Sequence, residues 1–217
     1  MNILVIGGGT KGRFGNRFVE HARSQGHRVL VVSHKDHGYD NTDHVVADFN
    51  STDDVVNKVE FLLSKIDVLD IFLFNTVTGK GPWNEWDFKS DSTFFDESEW
   101  LWNLRLNVII PNNLSIICLK KMIEGSKLIY MTTGRSYAME VTHGPFIPSY
   151  YGAKAWLNHV MIAFAHYNDK KVISTGITGH IDYGDSVNYD RAFEKAYNHI
   201  MNINESHNGK IISAAIA

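Results

Sequence analysis

The residues best suited to chemistry in this sequence are Tyr150 and Lys154, which lie four positions apart in Ser-Tyr-Tyr-Gly-Ala-Lys. Four residues make about one helical turn, so both side chains share a face if the segment is a helix. A tyrosine has a pKa of about 10, and a nearby cation stabilises its phenolate form. Tyr150 is therefore a candidate general acid or base, whereas Tyr151 lacks this spacing to Lys154. The alternative is an amphipathic helix with a surface tyrosine and lysine.

A glycine-rich segment joins the first apolar run to the first helical pattern. It reads Gly-Gly-Gly-Thr-Lys-Gly-Arg-Phe-Gly over residues 7–15 and fits two phosphate-loop registers, G-x-G-x-x-G from Gly7 and G-x-x-G-x-x-G from Gly9. Glycines let the backbone approach a pyrophosphate, whose charge a helix N-terminus stabilises. A tight turn without a ligand is the alternative. The residues expected to contact a dinucleotide here are Gly7, Gly9, Thr10, Lys11, Gly12, Arg13 and Phe14.

The end of the second apolar run indicates which dinucleotide fits. Sites that prefer NAD usually have an acid at this point, which binds the ribose hydroxyls. This sequence has Ser33, His34 and Lys35 instead, with no acid before Asp36. Together with the two cations of the glycine loop, these residues favour the 2′-phosphate of NADP(H) over NAD(H). The alternative is that the cations are ordinary solvated charges.

Apolar strand patterns alternate with helical patterns along the chain, which predicts a parallel sheet covered on both faces. We expect a Rossmann-type doubly wound α/β fold of about seven strands, formed by residues 1–217 as one domain. Such folds bind ligands outside the carboxyl ends of their strands, where the candidate motifs fall. The predicted strands are 3–6, 28–32, 44–47, 70–74, 127–131, 171–175 and 210–213, and the predicted helices are 14–25, 53–64, 98–122, 150–167 and 191–201.

The bulk properties exclude several classes of function. A net charge of -3 gives no reason to expect a nucleic-acid partner. No signal peptide or membrane-spanning pattern is visible, and Cys118 is the single cysteine, so we expect a cytoplasmic protein without disulfides. The 11 histidines lack metal-binding spacing, so no metal is expected.

Further segments follow one another in a defined order. They are Val46-Ala47-Asp48-Phe49, Asn75-Thr76-Val77, Glu99-Trp100 followed by Asn107, Met131-Thr132-Thr133-Gly134, Ile177-Thr178-Gly179-His180-Ile181 and Gly209-Lys210-Ile211. With the glycine loop and Tyr-x-x-x-Lys, this order resembles the short-chain dehydrogenase/reductase family over nearly the whole chain.

The resemblance implies roles for these residues. Thr133, or its neighbour Thr132, donates a hydrogen bond to the substrate oxygen, and Lys154 also reaches the nicotinamide ribose. Asn107 holds a water in a proton relay behind Lys154, although a purely structural Asn107 is the alternative. The residues implied to contact the cofactor beyond the glycine loop and residues 33–35 are Asp48 and Phe49 at the adenine, then Asn75, Thr76, Val77, Tyr150, Lys154, Thr178, Gly179 and Ile181.

The sequence departs from the family pattern in places. Thr178 stands where the family has proline, and residues 75–79 keep only the first Asn and the Gly of Asn-Asn-Ala-Gly. We expect a short substrate lid near residues 180–208 and a substrate-side insertion over residues 135–149. The aromatic-rich stretch 83–102 packs against the sheet, lines a substrate pocket or forms an oligomer contact. Helices 98–122 and 150–167 correspond to those through which family members pair, which implies a homodimer or homotetramer.

The sequence thus predicts an NADP(H)-dependent oxidoreductase of carbonyl reductase or alcohol dehydrogenase type, acting on a small-molecule carbonyl or alcohol. The alternative is a non-catalytic NADP(H)-binding sensor or interaction module of the same fold. A nucleotide-sugar epimerase ranks third, because the chain after Gly179 is short for a sugar-nucleotide domain.

Overall fold

One parallel sheet organises the chain. The computed structural model describes residues 1–8, 11–36, 42–76, 97–133, 148–178 and 186–213. The sheet has seven strands in the order β3-β2-β1-β4-β5-β6-β7, and the order reverses between β1 and β4, which confirms the predicted doubly wound Rossmann-type fold. The strands are β1 (Asn2–Ile6), β2 (Arg28–Ser33), β3 (His44–Val46), β4 (Ile71–Phe74), β5 (Lys127–Met131), β6 (Ile173–Thr178) and β7 (Ile211–Ser213).

The central strands are apolar at almost every position, as a strand covered on both faces requires. In β1, Leu4 and Ile6 pack into the core on one face of the sheet. Ile3 and Val5 pack into the core on the other face. All four side chains are fully buried.

Helices cover both faces of this sheet. α1 and α6 contribute to one core, where the Phe14 and Phe193 rings lie 5.8 Å apart. α2, α4 and α5 contribute to the other core. The helices are α1 (Phe14–Ser24), α2 (Thr52–Leu63), α3 (Glu97–Leu104), α4 (Ile110–Leu119), α5 (Pro148–Tyr167) and α6 (Ser186–Asn202).

A π-helical segment, Arg105–Ile109, joins α3 to α4 without a break, within the range 98–122 that the sequence predicted as one helix. The Ile110 N–H donates to the carbonyl of Arg105, five residues back. Pro111 has no N–H, so the carbonyl of Asn107 lacks the donor that an α-helix would place there. The π segment therefore admits the proline, and such segments occur frequently at functional sites.

β6 and α6 both differ from their predicted bounds. β6 continues to Thr178, beyond the predicted end at residue 175, because it pairs with β5 and β7 on its two sides. α6 begins at residue 186 and packs its aromatic face on α1, so most of the segment 180–208 covers the sheet. A substrate lid stays a prediction for residues 179–185, which lie outside the described ranges, as do the insertion at 135–147 and the aromatic stretch 83–96. Among the described helices, none is both long and apolar enough to cross a membrane.

Candidate active site

The carboxyl ends of β1 and β4 meet in a tight cradle built on glycine. Gly7 has φ +88°, and a Cβ at this position would overlap the backbone carbonyl of Asn75. Gly15, at the start of α1, would place a Cβ 2.7 Å from the Gly7 carbonyl oxygen. The Asn75 side chain donates to the Gly7 carbonyl at 3.3 Å. The backbones therefore approach more closely here than any side chain would permit.

The N-terminus of α1 lies next to this cradle. Arg13 occupies the N-cap position in an extended conformation and provides no side-chain cap. Gly12 has φ +77°, and its N–H donates to the Asn16 side chain at 3.0 Å. Lys11, Gly12 and Arg13 are exposed. An exposed helix N-terminus flanked by cations fits a pyrophosphate.

The cradle predicts that Gly7→Ala will be far more destabilising than Gly26→Ala. Both glycines have positive φ, but a Cβ at Gly26 meets nothing within 4 Å. Gly26→Ala should therefore lower the free energy of unfolding by only about 1 kcal/mol, the cost of the strained backbone. Gly7→Ala adds a backbone collision and should cost at least ~2 kcal/mol more. Urea unfolding of the two variants measures the difference, and equal losses would refute the close approach.

The end of β2 has a different arrangement from the one its residue types suggested. Ser33 is fully buried, and its hydroxyl bonds to the Lys35 carbonyl at 2.6 Å and to His44 Nε2 at 2.7 Å. His34 and Lys35 are exposed. At the surface after β2, the side chains of His34 and Lys35 are therefore accessible and the Ser33 hydroxyl is not.

At the end of β3, Asp48 is exposed and Phe49 is buried. The Asp48 carboxylate accepts hydrogen bonds from the backbone and side-chain nitrogens of Asn50, at 2.9 and 2.8 Å. These bonds lower the pKa of Asp48, so this carboxylate stays charged and fixed in orientation. Its backbone N–H in turn donates to Asp54 at 2.8 Å.

Lys154 lies inside α5 between the ends of two strands. Its ammonium group donates to the carbonyls of Met131 and Thr76, at 2.8 and 3.2 Å. The side chain is 1% exposed, and this burial lowers its pKa to about 7. Its Nζ lies 5.7 Å from the centre of the Tyr150 ring, which is itself buried. α5 thus brings the tyrosine and the lysine onto one face, as their spacing predicted.

The same face of α5 includes Asn158, one turn beyond Lys154, which the sequence reasoning did not single out. The Thr132 hydroxyl donates to the Asn158 side chain at 2.7 Å, and the Thr132 N–H donates to the Ile177 carbonyl. Thr133, the next residue, is partly exposed. Of the two threonines, Thr132 therefore connects the end of β5 to α5, and Thr133 has the more accessible surface.

A buried polar network supports the first turn of α5, and it too was missed. Ser149, directly before Tyr150, donates to the Glu99 carboxylate at 2.7 Å and accepts from Asn103 Nδ2 at 3.0 Å. Asn107, fully buried in the π segment, donates to the Asn103 carbonyl at 3.0 Å. Only Glu99 and Asn107 lay in motifs that resembled a family pattern, and no sequence signal connected them with Ser149.

Some buried polar atoms in this region have no protein partner. They include Asn107 Oδ1, Asn103 Oδ1 and Thr76 Oγ1. Buried polar atoms normally have a hydrogen-bond partner, so such atoms indicate a water or ligand. With the glycine cradle and the N-terminus of α1, they give this side of the sheet groups that could hold a dinucleotide.

Comparison with known proteins gives matches in structure only. No protein-family model and no curated protein matches the sequence. An apo SCOR enzyme from Clostridium thermocellum has a TM-score of 0.77 at 16% identity, covering 98% of this chain and 90% of that one. A short-chain dehydrogenase from Leptospira borgpetersenii with bound NAD+ has a TM-score of 0.74 at 14% identity, covering 98% and 90%. The chain has the fold of the short-chain dehydrogenase/reductases. The resemblance in the sequence motifs is thereby confirmed at the level of the fold.

A third structure with the short-chain dehydrogenase/reductase fold is BdcA in complex with NADPH, with a TM-score of 0.73 at 14% identity, covering 99% of this chain and 92% of that one. Similar structures therefore hold either nicotinamide cofactor. Of the residues implied to contact a cofactor in this fold, Thr178 ends β6 and is 7% exposed. Five more of these residues lie outside the described ranges: Gly9, Thr10, Val77, Gly179 and Ile181.

Proposed function

We propose that this chain is an NADP(H)-dependent oxidoreductase of the short-chain dehydrogenase/reductase family, transferring hydride between the nicotinamide and a carbonyl or alcohol. The observation that carries the proposal is the buried Lys154, held between the ends of β4 and β5 with Tyr150 one turn before it. Strongly perturbed lysines in such positions are characteristic of functional sites. A structural lysine would normally extend its ammonium group to water.

In this proposal Tyr150 exchanges the proton of the substrate oxygen. Lys154 stabilises the phenolate by its charge and orients the ribose through the remaining N–H of its ammonium group. Thr133 donates a hydrogen bond that keeps the substrate oxygen beside Tyr150. NADPH, when bound, supplies the hydride. The low pKa of Lys154 in the free protein implies that an anionic phenolate or an added hydrogen-bond partner is needed to keep it charged above neutral pH.

Asn107 serves this site by holding water. Its side-chain orientation is fixed, because Nδ2 donates to a backbone carbonyl, which leaves Oδ1 as a buried acceptor. When Tyr150 gives its proton to the substrate oxygen, Lys154 passes a proton to Tyr150, and a water bound at Asn107 Oδ1 returns a proton to Lys154.

The preference for NADP(H) rests on the exposed cations beside β2 and in the glycine loop. We predict that Lys35→Ala raises the Kd for NADPH roughly tenfold while changing the Kd for NADH less than about twofold, because only NADPH has the 2′-phosphate. Lys120→Ala is the matched control. Lys120 is exposed at the end of α4, which precedes the start of β5, so it lies toward the amino ends of the strands and away from the proposed site. Titration calorimetry with both cofactors measures the change, and equal losses for both cofactors would count against the preference.

A non-catalytic NADP(H) sensor is the second candidate. Only residues 179–185 separate β6 from α6, which leaves little chain for a lid over a substrate. A sensor binds NADPH as tightly as the enzyme would, but it does not oxidise the cofactor with any member of a carbonyl panel. The two candidates therefore differ in turnover and agree in binding.

We also propose a homo-oligomer that pairs through α3, α4 and α5, in a reducing, cytoplasmic setting. Four apolar side chains on these helices and on the π segment between α3 and α4 are each about half exposed: Leu101, Ile109, Ile116 and Trp156. We predict that Trp156→Glu shifts the protein to monomer in sedimentation velocity. Phe61→Glu, at an equally exposed aromatic on α2, is the control and should leave the oligomer intact. A monomeric wild-type protein would refute this assembly.

A further inference from the structure

One short side-chain hydrogen bond joins the end of β2 to the start of β3, and a second holds the turn that follows β2. Ser33 is the last residue of β2, and His44 is the first residue of the neighbouring parallel strand β3. The Ser33 hydroxyl donates to the Lys35 carbonyl at 2.6 Å and lies 2.7 Å from His44 Nε2. The Ser33 side chain is fully buried, whereas Lys35 is exposed.

The direction of both bonds follows from counting protons. A serine hydroxyl has one proton, and here the Lys35 carbonyl takes it, because a carbonyl can only accept. The Ser33 oxygen must then accept from His44, so His44 Nε2 carries a proton. The chain of donors runs from His44 to Ser33 to the Lys35 backbone. It fixes the turn over residues 33–35 from its buried side.

We propose that His44 is a positioning residue for recognition of the 2′-phosphate, acting through Ser33 on the turn that presents His34 and Lys35. The inference rests on the proposed function. The turn follows the last residue of β2, where a Rossmann-type fold meets the adenine ribose. A cation that is already oriented loses less conformational freedom on binding, so fixing the turn increases affinity for the phosphate. NADH has no phosphate at this place and gains nothing from the fixed turn.

The competing account makes Ser33 itself a phosphate ligand. Its full burial and its two short bonds argue against this, because the hydroxyl would have to leave both partners to reach a ligand. The two accounts differ in what they predict for His44. If Ser33 binds the phosphate directly, loss of the His44 donor has little effect on selectivity.

The test is the Kd of NADPH and of NADH for the full chain and three variants. We expect His44→Leu, which removes the donor, to raise the Kd for NADPH roughly five- to tenfold and to change the Kd for NADH less than about twofold. Ser33→Ala should give the same pattern, and the double variant should be no weaker than either single one. His44→Gln retains an N–H donor and should restore most of the affinity for NADPH.

A second measurement does not depend on any cofactor. Nitrogen chemical shifts of the His44 ring report which nitrogen carries the proton, and we expect protonated Nε2. An Nε2 without a proton would overturn the inference. So would His44→Leu binding both cofactors as wild type does, or a loss in Ser33→Ala without one in His44→Leu. A wild-type protein that binds neither cofactor would instead refute the proposed function, and with it this inference. Thermal unfolding of each variant separates a local effect from poor folding.

Discussion

Tyr150→Phe will lower kcat by roughly 10²- to 10⁴-fold and leave the Kd for NADPH within about twofold of wild type. The substitution removes only the hydroxyl, which in the proposed function exchanges the proton with the substrate. The ring remains packed against Tyr151, whose centre lies 5.4 Å away, and near the Lys154 ammonium group. The assay is NADPH oxidation with a panel of aldehydes and ketones, followed at the nicotinamide absorbance band, alongside calorimetric titration of the cofactor.

Tyr151→Phe is the matched control for this prediction. Tyr151 is buried to the same 8% exposure and stands on the same helix, but it lies three rather than four residues from Lys154. Its phenylalanine variant should keep kcat within about twofold of wild type. Equal losses in the two variants would indicate a packing effect, and an active Tyr150→Phe protein would remove Tyr150 from the chemistry.

The second large effect is expected for Lys154→Met. This substitution should change the pH dependence of the free energy of unfolding as well as kcat. Burial lowers the pKa of Lys154 from 10.5 to about 7. Between these values the unfolded chain binds a proton that the folded chain does not, so the free energy of unfolding rises with pH. The slope contributed by this residue approaches ~1.4 kcal/mol per pH unit across that window. Lys154→Met lacks this contribution, so wild type gains stability relative to the variant as the pH rises from 7 to 10.

Urea unfolding of both proteins at several pH values measures this gain. Lys127→Met is the control, because Lys127 donates to the Met201 carbonyl and its pKa is lowered by only partial burial. Its stability curve should follow wild type more closely. Parallel curves for wild type and Lys154→Met would contradict the burial of an uncharged lysine. In turnover, Lys154→Met should lose at least ~10²-fold in kcat, since the phenolate of Tyr150 loses its neighbouring cation.

Much of the fold was predictable because the sheet is parallel. Strands covered on both faces are continuous apolar runs, and β5 was predicted with the bounds that it has. β6 was predicted to end at residue 175, because Gly176 is a weak strand signal in isolation, but the strand continues through Gly176 to Thr178. Pairing with β5 and β7 extends the strand through both residues, and such pairing cannot be read from a local pattern.

The candidate site was predictable where one helix or one loop carries it. Tyr150 and Lys154 share a helix, so their spacing was sufficient. The Ser149 network was not predictable, because Glu99 and Ser149 lie 50 positions apart and meet only when α3 packs on α5. Ser33 is a residue whose type and position alone did not show its surroundings. Its residue type suggested a phosphate ligand, but its side chain is fully buried and its hydroxyl bonds to His44 and to the Lys35 carbonyl, neither of which a local pattern shows.

The measurement that tests the account most directly is a crystal structure of the protein grown with NADP+. Hydride transfer from NADPH at Tyr150 predicts the pyrophosphate at the N-terminus of α1 and the 2′-phosphate beside Lys35. It further predicts Lys154 on the nicotinamide ribose, with Thr133, Tyr150 and the nicotinamide C4 facing one open cavity. A cofactor bound with its nicotinamide turned away from Tyr150, or a cavity closed to substrate, would contradict hydride transfer at this site and leave the binding module as the better description.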